Sequence, residues 1–171
     1  MRPARALIDL SALRHNYRLA RERHGGRALA VVKANAYGHG AVRCAQALAH
    51  DADGFAVAFL GEALELRAAG ITAPILLLEG VFGADELGAV DRYGLWMVIH
   101  HEEQLRMLER TPLTAPVKVW LKINTGMNRA GFLPEAVADA WQRLQASGKV
   151  GEITLMTHFA RADEPDVETT R

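Results

Sequence analysis

The sequence is poor in cysteine, in aromatic residues and in net charge. Cys44 is the one cysteine among 171 residues, so an internal disulfide is excluded, as is typical of proteins in a reducing cytoplasm. Twenty basic and twenty acidic side chains give a formal net charge of zero, which predicts no attraction to nucleic acid or to an anionic membrane. No apolar run has the length of a membrane span, and the N-terminus lacks the apolar core of a secretory signal. We therefore predict a cytoplasmic protein.

Short apolar segments alternate along the whole chain with stretches of helical pattern. The predicted strands are residues 28–33, 54–58, 74–78, 95–99, 117–123 and 152–159. They lack an alternation of apolar and polar residues, which is typical of strands buried on both faces of a parallel sheet. Six such βα steps predict an α/β protein, either a barrel or an open doubly wound sheet. The first strand is not followed by a Gly-x-Gly-x-x-Gly turn, which weakens the prediction of a nucleotide-binding sheet.

Helix start and stop signals fit this alternation. The predicted helices are residues 11–23, 41–49, 61–69, 84–91, 101–109 and 134–146. Ser11 is predicted to be the N-cap of the first helix, and Pro134 to open the last one. Glycines follow three of the helices, where left-handed backbone ends a helix without steric cost; they are Gly70, Gly94 and Gly148. Cys44 falls in a helical pattern of alanines and is interpreted as a packing residue.

The most informative segment is residues 29–40, which reads Leu-Ala-Val-Val-Lys-Ala-Asn-Ala-Tyr-Gly-His-Gly. Lys33 stands at the end of the apolar run, and a loop is predicted to follow it. Desolvation at a strand end favours the neutral amine, the form that attacks a carbonyl group. The alternative is a lysine that only extends its charged end to solvent. Tyr37 lies four residues on, where its hydroxyl could meet a phosphate.

Residues 32–40 resemble the cofactor-lysine signature of the alanine racemase family. Residues 121–131, Leu-Lys-Ile-Asn-Thr-Gly-Met-Asn-Arg-Ala-Gly, are similar to the motif in the middle of that family's barrel. Residues 157–163, Thr-His-Phe-Ala-Arg-Ala-Asp, are similar to its next strand end, and the opening residues 8–16 also fit. The resemblance covers nearly the whole chain, with its motifs in the same order.

The resemblance implies a parallel (β/α)8 barrel whose strand carboxyl ends carry the chemistry. Lys33, Arg129 and His158 all fall at or beyond the carboxyl ends of predicted strands, as active-site residues of such barrels do. A complete barrel takes about 250 residues, so residues 1–171 are expected to form its N-terminal part, the first six βα units. The remaining strands and the family's second, mostly β domain would then lie outside this chain. A short relative that closes its barrel by pairing two chains is the alternative.

The family's cofactor is pyridoxal 5'-phosphate, and the resemblance implies a role for several residues. Lys33 would form the aldimine with the cofactor and would act as the base on one face of the substrate. Tyr37 would contact the cofactor phosphate, and Arg129 would bind both the cofactor's phenolic oxygen and the substrate carboxylate. His158 would support the residues around the cofactor ring, whereas His39 would orient backbone.

Lys122 is the candidate for a carbamylated lysine, which in relatives helps to position the arginine. A charged lysine inside a strand would be costly, and carbamylation would convert it into an anion able to pair with Arg129. The sequence departs from the family at Asn124, where relatives often have aspartate, and this leaves carbamylation open. It departs again at Arg161, where many relatives have threonine. The neighbouring pair His100 and His101 offers too few ligands for a metal ion, and none is predicted.

The implied reaction of the parent protein is the interconversion of L-alanine and D-alanine. Its second base would be a tyrosine from the second domain of a partner subunit, so a homodimer is expected and the isolated chain is expected to be inactive. Other barrel proteins with the same cofactor stay open as alternatives. These include serine or broad-specificity racemases, amino-acid decarboxylases and proteins that bind the cofactor without turnover.

Overall fold

In a computed structural model of the chain, residues 5–164 are described, and six parallel strands alternate with helices. The strands are β1 (Ala30–Val31), β2 (Phe55–Val57), β3 (Ile75–Leu77), β4 (Trp96–Ile99), β5 (Val117–Lys122) and β6 (Val150–Met156). Strand order in the sheet follows chain order, and the pairings within β1–β2, β3–β4, β4–β5 and β5–β6 are parallel. The prediction of six parallel strands is confirmed. Most of the strands are shorter than the apolar segments that predict them.

The helical segments lie between the strands, close to their predicted positions. They are α1 (Leu10–His24), α2 (Lys33–Tyr37), α3 (Ala41–Leu48), α4 (Leu60–Ala68), α5 (Leu87–Arg92), α6 (Glu102–Arg110) and α7 (Val137–Ala146). Short 3-10 turns precede α5 and α7, at Ala84–Glu86 and Pro134–Ala136. No helix in the part of the chain described, residues 5–164, has both the length and the apolar character needed to span a bilayer.

The chain divides into two compact units, residues 1–75 and 76–171. In the first unit, β1 and β2 pair in register through Ala30 with Phe55 and through Val31 with Ala56. Phe55 is fully buried and is the largest side chain of this core. Removing so large an apolar surface from water stabilises the fold by a few kcal/mol at about 25 cal/mol per Å².

Helix α1 is attached to the first unit largely by polar contacts, because none of its residues is buried. Arg14 and Arg18 pair with Asp51 at 3.0 and 2.8 Å, and the Tyr17 hydroxyl donates to the carbonyl of Ala28 at 2.7 Å. The hydrogen bond from Arg18, together with that from Arg14, holds the pKa of Asp51 below its usual value. These contacts fix the helix beside the N-terminal side of β1.

The second unit contains the longest ladder, between β5 and β6. Trp120 lies opposite Thr154 and Leu121 opposite Leu155 in this ladder, and Trp120 also stacks on Trp96 of β4 with 6.4 Å between ring centroids. Leu121 is fully buried. Because parallel strands end in the same direction, this ladder brings the segments that follow β5 and β6 side by side.

The N-cap of the first helix lies two residues earlier than predicted. Asp9, not Ser11, is the N-cap: its Oδ1 accepts hydrogen bonds from the amides of Ser11 and Ala12 at 2.8 and 3.0 Å. Both residues have side chains suited to a cap, and the aspartate position lets Leu10 join the helix. Gly70, Gly94 and Gly148 have φ values of +85°, +56° and +68° just beyond helix ends, as predicted.

Candidate active site at the strand carboxyl ends

Lys33 leaves the carboxyl end of β1, as predicted. The residue before it, Val32, is 3% exposed, and its amide donates to the carbonyl of Ala56 at 2.9 Å, which extends the pairing with β2. Lys33 itself is half-buried and is the first residue of α2. The sheet therefore fixes the backbone of Lys33, while its side chain, which bears the amine, has access to solvent.

The segment after Lys33, predicted as a loop, begins with a left-handed turn over residues 34–37. Ala34, Asn35 and Ala36 have φ of 51°, 55° and 52° with ψ of 48°, 45° and 48°, and Tyr37 has φ of 52°. Left-handed backbone costs roughly 1–2 kcal/mol for each residue that carries a Cβ. Several consecutive residues of this kind are uncommon, and such strain is a mark of functional sites.

Hydrogen bonds at both ends of α2 hold this conformation. The amide of Gly38 donates to the carbonyl of Ala34 at 3.1 Å, and the amide of Gly40 donates to that of Asn35 at 2.9 Å. The Asn35 side chain accepts from the amide of Ala41 at 2.8 Å, which ties the turn to the start of α3. The His39 ring lies 2.9 Å from the carbonyl of Ala36 through Nδ1, so this histidine contacts backbone, as expected.

Glu62 of α4 is a residue of this site that sequence reasoning missed. One carboxylate oxygen accepts from the amide of Ala34 at 2.6 Å, directly after Lys33. The other accepts from the amides of Ala58 and Phe59, at 2.7 and 3.2 Å. The available signal was a glutamate in the first turn of a helix, a position that often accepts from the backbone before the helix.

Tyr37 presents its ring to solvent with 63% of the residue exposed. An exposed phenol can donate a hydrogen bond to an anionic ligand, so the predicted contact with a phosphate stays a prediction. Lys33 and Tyr37 are the first and the last residue of α2.

Arg129 lies in the loop after β5 and is exposed. Asn124 organises that loop: its Oδ1 accepts from the amides of Gly126 and Asn128, at 3.1 and 3.0 Å, and its Nδ2 donates to Asn128 Oδ1 at 3.0 Å. A carboxylate could not make the last bond. Gly131 closes the loop at φ +124°, where an added Cβ would lie 2.6 Å from the amide nitrogen of Asn124.

Lys122 is the last residue of β5 and is 8% exposed. Its carbonyl accepts from the amide of Phe132 at 2.9 Å, so it also anchors the base of the Arg129 loop. The structure thus places Lys122 and Arg129 on one strand and the loop that follows it. A lysine this buried requires either an anionic neighbour or a change in its own charge.

His158 lies two residues beyond the end of β6, because the strand stops at Met156 and not at residue 159 as predicted. The residue between them, Thr157, leaves the ladder to make side-chain contacts. Its hydroxyl donates to the carbonyl of Ile123 at 3.0 Å and lies 2.7 Å from the hydroxyl of Thr125. His158 is exposed, on a segment that Thr157 fixes to the loop after β5.

His100 is half-buried at the end of β4, and its Nε2 donates to the carbonyl of Glu79 at 3.1 Å. Burial lowers the pKa of its imidazole below 6.5, in spite of the opposing effect of that carbonyl. The side chain of Gln104, which is 1% exposed, fixes the same loops. It accepts from the amide of His100 at 3.0 Å and donates to the carbonyls of Glu79 and Val81, at 2.7 and 3.1 Å.

Taken one by one, these side chains suit different parts of pyridoxal phosphate by their chemistry. A primary amine at Lys33 suits an aldehyde, the exposed Tyr37 hydroxyl suits a phosphate, and the Arg129 guanidinium suits a phenolic oxygen or a carboxylate. The rigid backbone at Lys33 also suits a group that has to be held in one orientation.

Comparison with known proteins agrees with this geometry. An alanine racemase from Azoarcus sp. (strain BH72) is 75% identical over 170 residues, which cover 99% of this chain and 48% of that protein. A catabolic alanine racemase from Pseudomonas putida is 65% identical over the same length and the same shares. The crystal structure of the biosynthetic alanine racemase from Pseudomonas aeruginosa matches with a TM-score of 0.91 at 48% identity, covering 95% of this chain and 46% of that one.

The chain spans about half the length of the curated relatives it matches. Its parallel strands and helices are those of the first part of the barrel in the solved racemases. Residues 8–171 match the family described as the alanine racemase N-terminal domain, and the chain belongs to that family.

Proposed function

We propose that this chain is the N-terminal, cofactor-lysine half of a pyridoxal-phosphate-dependent alanine racemase that interconverts L-alanine and D-alanine. The observation that carries the proposal is Lys33 at the carboxyl end of β1, followed by the fixed turn that ends in Tyr37. Membership of the family supports it, since the matched relatives are named alanine racemases over this whole chain.

Lys33 is the residue proposed to bind the cofactor covalently and to move a proton at the substrate's α-carbon. When bound, pyridoxal phosphate withdraws electrons from that carbon and acidifies its hydrogen. A free Lys33 Nζ beside the substrate's α-carbon would accept or return this proton on one face. The strained turn keeps the lysine backbone in one place throughout, so that the amine travels only by rotation of its own side chain.

The other site residues are proposed to hold and orient ligands. Tyr37 donates its hydroxyl to the cofactor phosphate, and Arg129 pairs with the cofactor's phenolic oxygen and the substrate carboxylate. His158, fixed through its neighbour Thr157, supports the groups around the cofactor ring. The Asn124 amide, which orders the Arg129 loop, limits the directions in which the guanidinium can approach.

Carbamylation of Lys122 is proposed as the means by which this lysine is accommodated at the base of the Arg129 loop. The lysine is buried, and a carbamate would turn a cation into an anion of the right sign for an arginine. Asn124 does not conflict with this, because its amide contacts Gly126 and Asn128 in its own loop.

Racemisation requires proton transfer on both faces of the substrate, and Lys33 serves one. We propose that the second base is a tyrosine outside these 171 residues, on the second domain of a partner subunit. The active protein is then a cytoplasmic homodimer, and the 171-residue chain alone does not racemise alanine.

The proposal is tested by reducing the full-length gene product with borohydride after loading with pyridoxal phosphate, and by mapping the modified peptide by mass spectrometry. We expect the cofactor mass on Lys33. Modification at another lysine, with Lys33 unmodified, would contradict the proposal.

Activity is then measured with a chiral assay on L-alanine, D-alanine and other amino acids. Lys33→Ala should lower kcat by on the order of 10³-fold or more, because it removes both the attachment point and a base. Lys118→Ala, in the exposed part of β5, is the matched control and should retain activity. Faster turnover of serine or another amino acid than of alanine would favour one of the alternative barrel enzymes.

A further inference from the structure

Glu62 connects the segments that follow two neighbouring strands of the first unit. Its Oε1 accepts from the amide of Ala34, after β1, while Oε2 accepts from the amides of Ala58 and Phe59, after β2. Both oxygens are used, and the shortest of these contacts, 2.6 Å, is the one to Ala34. Bonds from amides to an ionised carboxylate are roughly twice as strong as neutral ones.

The hydrogen bond from the Ala34 amide to Glu62 lies at the start of α2. The first amides of a helical turn have no acceptor within the turn, and in a left-handed turn the usual sequence signals for a cap do not apply. Ala34 is also the first of the residues with positive φ. Without an external acceptor, the strained conformation would lose its first hydrogen bond and compete less well with ordinary backbone.

The amide of Ala34 belongs to the peptide group that it shares with Lys33. Fixing this N–H therefore fixes the plane of the Lys33 carbonyl and restrains ψ of Lys33, one of the two backbone angles that orient its side chain. We propose that Glu62 is a positioning residue for Lys33, acting through the Ala34 amide. The proposal rests on the proposed function, in which Lys33 is the cofactor lysine.

Two other helical segments contain a side chain that caps in the same way as Glu62, so a variant there can separate the positioning role from helix capping. Glu86 accepts from the amide of Phe82 at 2.8 Å, and Gln104 accepts from that of His100, each four residues earlier, as Glu62 does with Ala58. The shared i to i−4 contact is a capping device. The reach of Glu62 to Ala34 is an addition that Glu86 does not make, so Glu86→Ala is a matched control.

The first measurement is hydrogen exchange of the full-length protein without cofactor, followed by mass spectrometry of a peptide covering residues 30–40. In Glu62→Ala we expect roughly tenfold faster exchange in this peptide, because loss of one charge-assisted bond opens the turn locally. Glu86→Ala should leave it as in the wild type. Equal exchange of this peptide in wild type, Glu62→Ala and Glu86→Ala would overturn the proposal.

The second measurement is steady-state racemisation by the loaded enzyme. Misplacement of Lys33 should lower kcat of Glu62→Ala by about tenfold or more, while KM for alanine changes by less than about twofold, because the ligand-binding groups are untouched. Glu86→Ala, which loses only a cap, should keep kcat. An unchanged kcat in Glu62→Ala, or an equal loss in both variants, would overturn the positioning role.

Glu62→Gln keeps the side-chain size and serves if Glu62→Ala does not fold. The glutamine amide has one acceptor oxygen, which can accept either from the Ala34 amide or from the amides of Ala58 and Phe59. We therefore expect faster exchange in one of these two segments, and a smaller loss of kcat than in Glu62→Ala. Exchange and kcat both equal to the wild type would overturn the proposal. Absence of cofactor labelling at Lys33 in the wild type would instead refute the proposed function and leave the exchange result as the test of Glu62.

Discussion

At the scale of single residues, the turn after Lys33 is strained because alanines adopt left-handed backbone there. Glycine and asparagine tolerate this conformation best, and Asn35 and Gly38 fit that preference. Ala34 and Ala36 do not, and this is why a left-handed turn could not be predicted from the residues. The turn is held by hydrogen bonds from the Ala34 amide to Glu62, from the Ala41 amide to Asn35 and from the amides of Gly38 and Gly40 to the turn's own carbonyls.

Replacing Ala34 with glycine should therefore stabilise the protein. Ala34 has φ 51° and ψ 48°, so glycine relieves the Cβ strain, and after the added freedom of the unfolded chain we expect a gain of about 0.5 kcal/mol. Ala20→Gly, at an exposed position inside α1, is the control and should lose about 1 kcal/mol. Urea unfolding gives both free energies of unfolding, and equal losses at the two positions would contradict a strained Ala34.

A pH dependence of stability follows from His100. Because burial lowers its pKa in the folded protein below 6.5, the unfolded chain binds this proton more readily. The contribution of His100 is then complete above about pH 6.5 and is lost as the pH falls from there through the lowered value. We expect the free energy of unfolding to fall in this range in the wild type.

Two variants test whether His100 causes this dependence of the free energy of unfolding on pH. His100→Gln can still donate to the carbonyl of Glu79 but does not titrate, so its stability should change less between pH 7 and pH 5. His101→Gln removes a neighbouring group that also lowers the His100 pKa, so the slope should become smaller but should not vanish. If His100→Gln retained the full wild-type slope, the slope would belong to other groups.

At the scale of elements, helix ends show where sequence reasoning succeeds and where it stops. The ends of α4, α5 and α7 were predictable from the glycines that follow them, since a helix often ends at a residue with left-handed backbone and this residue is usually glycine. The side chains that cap from a distance were not. Glu62 reaches the amide of Ala34 across 28 positions of sequence, and no local pattern identifies such a partner.

The C-terminus of α6 offers a test of a distant cap. The Lys149 Nζ donates to the carbonyls of Leu108, Glu109 and Thr111, at 3.1, 2.7 and 2.7 Å. It satisfies acceptors that the helix leaves open and complements the negative end of the helix dipole. Lys149→Met should lower the free energy of unfolding by about 1–2 kcal/mol, measured by urea unfolding.

Lys118→Met is the control for this prediction. Lys118 pairs with Glu152 at 2.7 Å, but both side chains are about half exposed, at 47% and 56%, and such surface pairs are worth about 0–1 kcal/mol. Its removal should change stability less than that of Lys149. If Lys149→Met lowered the free energy of unfolding no more than Lys118→Met does, water would satisfy the three carbonyls as well as the Lys149 ammonium group.

At the scale of the whole molecule, the class of fold was predictable and the details of the site were only partly so. Strands rich in Val, Ile and Leu at regular spacing set the α/β alternation, because burial on both faces leaves little choice of residue. The choice between barrel and open sheet came from the resemblance of three motifs. Lys33, Tyr37 and Arg129 lie beyond the ends of β1 and β5, as expected, and Lys122 is the last residue of β5. The end of β6 was placed too late, since Thr157 makes side-chain contacts in place of the ladder.

The bond between Glu62 and Ala34 also sets an order of events during synthesis of the chain. A ribosome makes Lys33 well before it makes Glu62, and at about 5–20 residues per second the acceptor follows a few seconds later. Until then the nascent turn lacks its anchor, and its alanines favour ordinary right-handed or extended backbone. The lysine site is thus completed only when β2 and α4 have emerged and folded, so a nascent chain that ends before Glu62 carries the lysine without its geometry.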